Sequence, residues 1–206
     1  MVLEAERRQQ SGLRKAHDRK ISNLVDSAGS GDRACLEELI GIFHNEIFRM
    51  IYYRTGSRMD AEDLTQEVFF KMSKGLSKLD DPARFRQWLY RIAVNLVKDF
   101  HRKKKLLSFF SDTGAVEEME SIGTNPNLVR QMMDKEFWQQ FHGLARKMSH
   151  MEREVFTLRY LDQLCIREIA GTMKKSESTV KTHLYRALEK FKGSPGLRAL
   201  LRGNES

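Results

Sequence analysis

A line of polar and basic residues between positions 84 and 102 could contact the phosphates and base edges of a nucleic acid. Its members recur every three or four residues, the spacing of one helical face: Arg84, Gln87, Arg91, Asn95, Lys98 and Arg102. Trp88 and Tyr90 flank this line, where an aromatic ring could stack on an unpaired base. A core helix with a solvated basic face is the plainer alternative, and for a helix taken alone it is the more common one.

The same segment has a second, apolar face that would hold it in a core. Its apolar side chains also recur at helical spacing: Phe85, Leu89, Ile92, Ala93, Leu96 and Phe100. The segment continues into His101-Arg102-Lys103-Lys104-Lys105, a run that phosphates attract. We therefore predict an amphipathic helix with one buried face and one face available to a polyanion.

The composition fits a nucleic-acid-binding protein. The 206 residues suit one or two domains, and 36 Lys and Arg against 28 Asp and Glu give a net charge of +8. No apolar run approaches the ~20 residues of a membrane span, and the first twenty residues lack a signal-peptide core, so we expect a cytoplasmic protein without membrane insertion. Cys35 and Cys165 form no CxxC pair, and we expect two reduced thiols.

Periodicity predicts an all-α protein of two small helical domains joined by a flexible linker. The prolines lie between the periodic segments, and the alternating pattern of strands is absent. Residues 106–127 contain acidic but no basic side chains, as expected of a linker. We expect the first helix to begin near Ile21, and a second, longer helix to be capped by Asp32 and closed by Gly56. The predicted divisions are a mobile basic arm (1–20), a first domain (21–105), the acidic linker (106–127), a second domain (128–193) and a tail (194–206).

An acidic helix is predicted to begin at Asp60. Leu64, Val68 and Met72 would form its buried face. The remainder of its surface carries Asp60, Glu62, Asp63, Gln66 and Glu67. An acidic surface on a basic protein would suit a basic patch on another protein, although an ordinary solvated face is the alternative.

The second domain is predicted to contain a helix-turn-helix. The short helical segment CIREIAGTM is followed by a break at Lys174-Lys175 and by the longer segment SESTVKTHLYRALEKFKG. The longer helix turns polar and basic side chains outward, as a helix does when it enters the major groove.

Two stretches of the chain resemble bacterial RNA polymerase sigma factors. DAEDLTQEVF (60–69) with FRQWLYRIAVNLVKDFHRKKK (85–105) resembles their second conserved region. MEREVFTLRYLDQLCIREIAGTMKKSESTVKTHLYRALEKFK (151–192) resembles their fourth. With nothing substantial between them, the chain resembles the extracytoplasmic-function (ECF) group.

The resemblance implies a factor that binds core RNA polymerase, directs it to specific promoters and promotes strand opening, without a cofactor or metal. The partners implied are core polymerase, promoter DNA and an anti-sigma factor. The acidic helix would dock on the β′ clamp helices and the second domain on the β flap. Minus-ten DNA would be held by Arg84, Phe85, Gln87, Trp88, Arg91, Asn95, Lys98 and Arg102. Minus-thirty-five DNA would be held by Ser176, Ser178, Thr179, Lys181, Thr182, Tyr185 and Arg186.

Two departures from the family pattern concern the helix-turn-helix. Cys165 stands where the family often has serine, and cysteine is a poor helix cap, so we expect a looser or differently capped helix start. Lys174 and Lys175 replace the usual glycine and apolar residue of the turn, and lysine adopts a positive φ less readily than glycine.

Two other functions are weighed against the sigma-factor hypothesis. An enzyme is disfavoured because the six histidines form no HExxH and no P-loop is present. A helix-turn-helix regulator acting without core polymerase would leave the first-domain motif without a purpose. The regulator would bind its operator alone, whereas a sigma factor opens DNA only with core polymerase.

Overall fold

The computed structural model describes residues 2–110 and 147–191, with side chains over 16–106 and 147–190. Within these ranges the regular structure is helical and no strand occurs. The chain divides into two compact units, Met1–Glu117 and Glu118–Ser206. The predicted all-α fold is therefore confirmed. The predicted linker beyond residue 110, the helical pattern predicted from Leu128 as far as residue 146, and the tail all lie outside the described residues.

The first unit contains four α-helices and two short 3-10 turns. They are α1 (Val2–Gly29), α2 (Arg33–Thr55), α3 (Arg58–Gly75), the turns Leu76–Lys78 and Pro82–Arg84, and α4 (Phe85–Phe110). The helix start predicted near Ile21 is wrong, because α1 begins at Val2. Residues 2–20 are rich in Glu, Ala, Arg, Gln and Lys, whose helix propensity needs no apolar period.

Side-chain caps fix where α2 and α3 begin and end. Asp32 Oδ1 accepts a hydrogen bond from the Cys35 N–H at 3.1 Å, which confirms the predicted cap of α2. That bond is the main cause that lowers the pKa of Asp32. Gly56 ends α2 with φ 71°, also as predicted. The predicted start of α3 at Asp60 is wrong, because Ser57 Oγ accepts from the Asp60 N–H at 3.3 Å and is the cap.

The core of the first unit lies where α2, α3 and α4 meet, and α1 adds Ile21, Leu24 and Val25. Phe43 of α2 and Phe85 of α4 pack edge to face, with ring centroids 5.3 Å apart. α4 buries more of its surface than its apolar period indicates, since Tyr90, Val94 and Val97 are buried as well. This wide buried face leaves α4 a narrow exposed strip.

The second unit contains α5 (His150–Tyr160), α6 (Ile166–Met173) and α7 (Glu177–Phe191). A capping box starts α5, with Ser149 N–H donating to Glu152 Oε2 at 2.9 Å and Glu152 N–H donating to Ser149 Oγ at 3.3 Å. The buried Glu152 also accepts from Lys190 Nζ at 2.5 Å, which ties the end of α7 to the start of α5. The hydrogen bond from Lys190, followed by that from the Ser149 backbone, lowers the pKa of Glu152.

The atypical residues of the helix-turn-helix are accommodated by neighbouring groups. The Cys165 N–H donates to Glu168 Oε2 at 2.7 Å, the same capping-box bond that Ser149 makes with Glu152 at α5, so the looser or different cap expected for α6 is not found. Lys174 ends α6 in the left-handed region, with φ 52° and ψ 47°. Its N–H donates to the Ala170 carbonyl, and the Lys175 N–H donates to the same oxygen at 3.0 Å. A lysine therefore adopts the conformation that suits a glycine.

Replacing Lys174 with glycine should stabilise the protein, whereas the same change at Lys175 should destabilise it. A left-handed non-glycine residue costs ~1–2 kcal/mol, of which the greater freedom of the unfolded glycine chain offsets ~0.4–1 kcal/mol. Lys175 has no positive φ to relieve. Urea unfolding followed by circular dichroism should place Lys174→Gly about 1 kcal/mol above Lys175→Gly. Equal free energies of unfolding for the two variants would contradict the backbone strain at Lys174.

Glu152→Gln should destabilise the protein by about 2 kcal/mol at neutral pH, because it removes one charge of a partly buried ion pair. The folded pKa of Glu152 is depressed, so its contribution is present above the unfolded pKa of about 4.3 and is lost as pH falls through the folded pKa. Urea unfolding should thus separate wild type from Glu152→Gln at pH 7 but much less at low pH. The control Glu37→Gln removes an exposed pair with Arg33 and should change stability by less than about 0.5 kcal/mol.

Candidate nucleic-acid and protein interfaces

A shallow groove lies between the segment that precedes α4 and the first turns of α4. Its volume is about 170 Å³, and its walls are Leu79, Asp80, Asp81, Arg84, Gln87, Trp88 and Arg91. The structure thus brings together Arg84, Gln87, Trp88 and Arg91 of the predicted minus-ten set. Asp80 and Asp81 were not named as site residues, although the resemblance assigns the loop and helix from Ser77 to Arg102 to minus-ten DNA, and only the fold shows that the loop forms the opposite wall.

Local hydrogen bonds fix the loop wall of the groove. Asp81 Oδ1 accepts from the Ala83 N–H at 3.0 Å and caps the 3-10 turn that Pro82 begins. Asp81 Oδ2 lies 3.0 Å from Arg84 Nε. The carboxylate therefore positions both the backbone of the turn and the guanidinium that follows it.

Two aromatic residues that the sequence suggested for nucleic-acid contact are buried. Phe85 is 0% exposed and contacts Phe43, so it lies on the predicted buried face of α4, and its contact with minus-ten DNA stays a prediction. Tyr90 is 1% exposed, and its hydroxyl donates to Glu46 Oε2 at 3.3 Å. Tyr90 can lie in the core because Glu46, distant in sequence, satisfies its hydroxyl. Trp88 is half-buried and lies 6.0 Å from Phe85, ring centre to ring centre.

The predicted line continues along α4 beyond the groove. Arg91 is half-buried, whereas Asn95, Lys98 and Arg102 are exposed. Arg102 pairs with Asp99 at 3.2 Å, an exposed contact that contributes little stability and can exchange for a phosphate. From Gln87 to Arg102 the line spans about 22 Å at 1.5 Å per residue. The groove and this strip form one continuous polar surface.

The acidic surface of α3 is exposed, and it contains two large apolar side chains whose exposure was not predicted from the sequence. Glu62, Asp63, Gln66 and Glu67 are exposed and Asp60 is half-buried. Met59 is 71% exposed and Phe70 is 57% exposed. Their separation of eleven positions corresponds to about three helical turns, so both lie on the face that carries Asp63 and Gln66. This helical spacing relative to Asp63 and Gln66 was the signal in the sequence that could have placed both apolar side chains on the acidic face.

Basic side chains partly neutralise this face of α3. Arg58 Nε donates to Glu62 Oε1 at 2.8 Å, and this bond raises the pKa of the guanidinium. Lys71 Nζ lies 2.9 Å from Glu67 Oε1, and Lys74 Nζ lies 4.1 Å from the centre of the Phe70 ring. The face is therefore acidic with an apolar side chain at each end, and several of its groups pair with basic residues one turn away on the helix.

α7 presents the predicted minus-thirty-five residues to solvent. Thr179 is half-buried, and the exposed members are Ser176, Ser178, Lys181, Thr182, Tyr185 and Arg186. Ser176 Oγ lies 2.9 Å from Ser178 Oγ and 2.8 Å from Thr179 Oγ1, so the hydroxyls at the helix start form one cluster. Tyr185 and Arg186 follow two turns later on the same side.

The described part of the chain contains neither a metal-ligand cluster nor a membrane-spanning helix. No group of three His, Cys, Asp or Glu residues there could hold a metal ion. Among the helices described, none is long and apolar enough to cross a membrane.

Comparisons with known proteins identify both units. A family described as Sigma-70 region 2 matches residues 39–106, and one described as Sigma-70, region 4 matches residues 139–191. The solved structure of CnrH in complex with the cytosolic domain of CnrY has a TM-score of 0.62 at 21% identity. It covers 90% of this chain and 99% of that chain, and it supports the fold alone.

Curated relatives match across both units. The ECF sigma factor BldN of Streptomyces coelicolor is 29% identical, and the alignment covers 82% of this chain but only 63% of BldN. SigW of Bacillus subtilis is 27% identical, with 82% of this chain and 93% of SigW covered. The ECF sigma-E factor of Escherichia coli is 30% identical, with 81% of this chain and 89% of the relative covered. The chain belongs to the ECF sigma factors of bacterial RNA polymerase.

Proposed function

We propose that this chain binds core RNA polymerase, selects promoters and opens the DNA strands, while the polymerase performs the chemistry. The groove formed by the first turns of α4 and the segment before them is the observation that supports this proposal. An aromatic ring, side chains that can hydrogen-bond to base edges and two guanidinium groups line it together. In this division, residues 21–105 engage core polymerase and the minus-ten element, and residues 128–193 engage the minus-thirty-five element. An initiation factor of this kind acts in the cytoplasm, where the polymerase and DNA are, and has no catalytic residues of its own.

The groove suits one unpaired base of the minus-ten strand. The half-exposed Trp88 ring offers a stacking surface, and Gln87 and Asp80 offer polar atoms to a base edge. A carboxylate accepts from an exocyclic amino group, which a phosphate cannot provide. Arg84 and Arg91 would then hold the flanking phosphates.

The exposed strip of α4 would carry the strand away from the groove. Asn95, Lys98 and Arg102 lie on one side of the helix and contribute hydrogen-bond donors about one turn apart. Because these contacts are mostly with phosphates, they would add affinity more than sequence preference.

The acidic face of α3 suits the basic clamp helices of the β′ subunit. Stable protein interfaces have buried apolar or aromatic anchors within a polar rim. Met59 and Phe70 provide such anchors, and Glu62, Asp63 and Gln66 lie between them as rim. Opposite charge would speed association and fix its register.

The exposed side of α7 suits the major groove of the minus-thirty-five element. Lys181 and Arg186 can contact phosphates or guanine, and the Ser178 and Thr182 hydroxyls can contact bases or phosphates. The second unit would rest on the β flap. Because similar solved structures hold CnrH with the cytosolic domain of CnrY and RpoE of Bartonella quintana with the anti-sigma factor NepR, we include an anti-sigma factor among the partners.

Transcription in vitro tests the function directly. Core polymerase with this protein should transcribe from a cognate promoter identified after overexpression, whereas neither component should do so alone. A regulator that acts without polymerase would instead bind its operator by itself. Absence of any core-dependent transcript would sink the proposal.

Phe70→Ser should weaken binding to core polymerase by about tenfold or more, because an interfacial aromatic anchor contributes ~1.4 kcal/mol or more. The matched control is Leu106→Ser. Leu106 is an apolar side chain of similar exposure, 60%, but it lies on α4 and not on the acidic face of α3. Titration of labelled protein with core enzyme gives both affinities. Equal affinities for the two variants would remove Phe70 from the interface.

A further inference from the structure

The end of α3 lies against the indole of Trp88. Gly75 is the last residue of α3, and a Cβ placed on it would lie 3.0 Å from Trp88 Cζ2 and 3.5 Å from Cη2. Among the described residues, and apart from the two chain neighbours and the local helix backbone, no other residue has an atom within 4 Å of that position. The indole therefore occupies the space that a side chain at position 75 would take.

The backbone does not explain the glycine at this position. Gly75 has φ −102° and ψ −11°, which any L-residue adopts. Alanine is the better residue in a helix, so the local conformation would favour a side chain here. The close approach of the indole is the one feature of the described structure that disfavours a side chain at this position.

The indole also belongs to a residue of the groove wall. Trp88 lines the groove with Gln87 and Arg91, and it is held from within by Phe85 at 6.0 Å. Phe85 is fixed in turn by Phe43. Because Phe85 is fully buried and packed, a Cβ at position 75 would displace the indole by a few tenths of an ångström and so change its place in the groove wall.

We propose that Gly75 is a positioning residue, which sets the depth of the Trp88 indole and so the place of the base stacked on it. This inference rests on the proposed function of the groove. It also gives α3 two roles, since its exposed face would dock on polymerase and its last residue would support the promoter-contacting ring.

Gly41 provides a matched control. It lies within α2, is exposed, and a Cβ placed on it would meet nothing within 4 Å. Gly41→Ala therefore makes the same chemical change at a helical glycine without touching Trp88. Its effects report the general consequence of replacing glycine with alanine.

The first measurement needs neither polymerase nor DNA. Trp88 and Trp138 are the two tryptophans of the chain, so Trp138→Phe leaves Trp88 as the sole indole fluorophore. In that background, Gly75→Ala should change the emission maximum and the quenching by acrylamide, because the ring takes a different place in the half-exposed groove wall. Gly41→Ala should leave both unchanged. No shift for Gly75→Ala would overturn the proposal.

The second measurement is strand opening by core polymerase with the full-length chain, followed by permanganate reactivity at a cognate promoter. Gly75→Ala should reduce opening by about tenfold, since sub-ångström to 1 Å misplacement of a reacting or binding group has effects of that order. Affinity for core polymerase should stay unchanged. Gly41→Ala should open DNA like wild type.

A double-mutant cycle with Trp88→Phe separates positioning from a general structural effect. Phenylalanine lacks the indole's Cζ2 and Cη2 atoms, so the Cβ of alanine at position 75 has room beside it. Gly75→Ala should then cost less than about twofold in the Trp88→Phe background. An equal cost in both backgrounds, or a fluorescence shift without loss of opening, would overturn the inference. Failure of wild type to open any promoter would instead overturn the proposed function.

Discussion

The contact between Phe43 and Phe85 is the constraint on which the first unit depends. It joins α2 to the first residue of α4, at the point where the chain leaves the groove wall. Burial of one phenylalanine contributes ~1.5–3 kcal/mol, and the edge-to-face pair adds ~0.5–1.5 kcal/mol. With Phe85 held, the rotation of α4 is fixed, and Gln87, Trp88 and Arg91 reach the groove.

The division of α4 into a wide buried face and a narrow exposed strip follows from this anchoring. Tyr90 is buried beside the groove residues. Glu46 Oε2 accepts hydrogen bonds from the Tyr90 hydroxyl and from Arg86 Nη2, both at 3.3 Å. These polar contacts satisfy groups that would otherwise oppose burial. The helix thus places Trp88 at the boundary between core and solvent. A ring in that position can be supported from one side and offer the other to a base.

Local signals predicted what depends on neighbours in sequence, and they failed where distant groups decide. Asp32 and Gly56 were recognised as ends of α2 because capping is local, and the exposed residues of α7 follow from helical spacing. Tyr90 was misjudged because its burial depends on the hydrogen bond to Glu46, 44 residues earlier in the chain, whereas the burial of Phe85 follows from the apolar period of α4. The loop wall of the groove needed the fold for the same reason, and Met59 and Phe70 look like core residues until their exposure is known.

The helix-turn-helix shows how a fold tolerates residues that a local pattern disfavours. Cys165 cannot cap α6 well, yet Glu168 accepts its N–H at 2.7 Å. Lys174 adopts a positive φ because its N–H and that of Lys175 both reach the Ala170 carbonyl. The strain at one residue is ~1–2 kcal/mol, which satisfied backbone groups and the Glu152–Lys190 pair can offset. The seating of α7 is therefore set by these hydrogen bonds rather than by glycine, which is why the architecture persists without the usual turn residue.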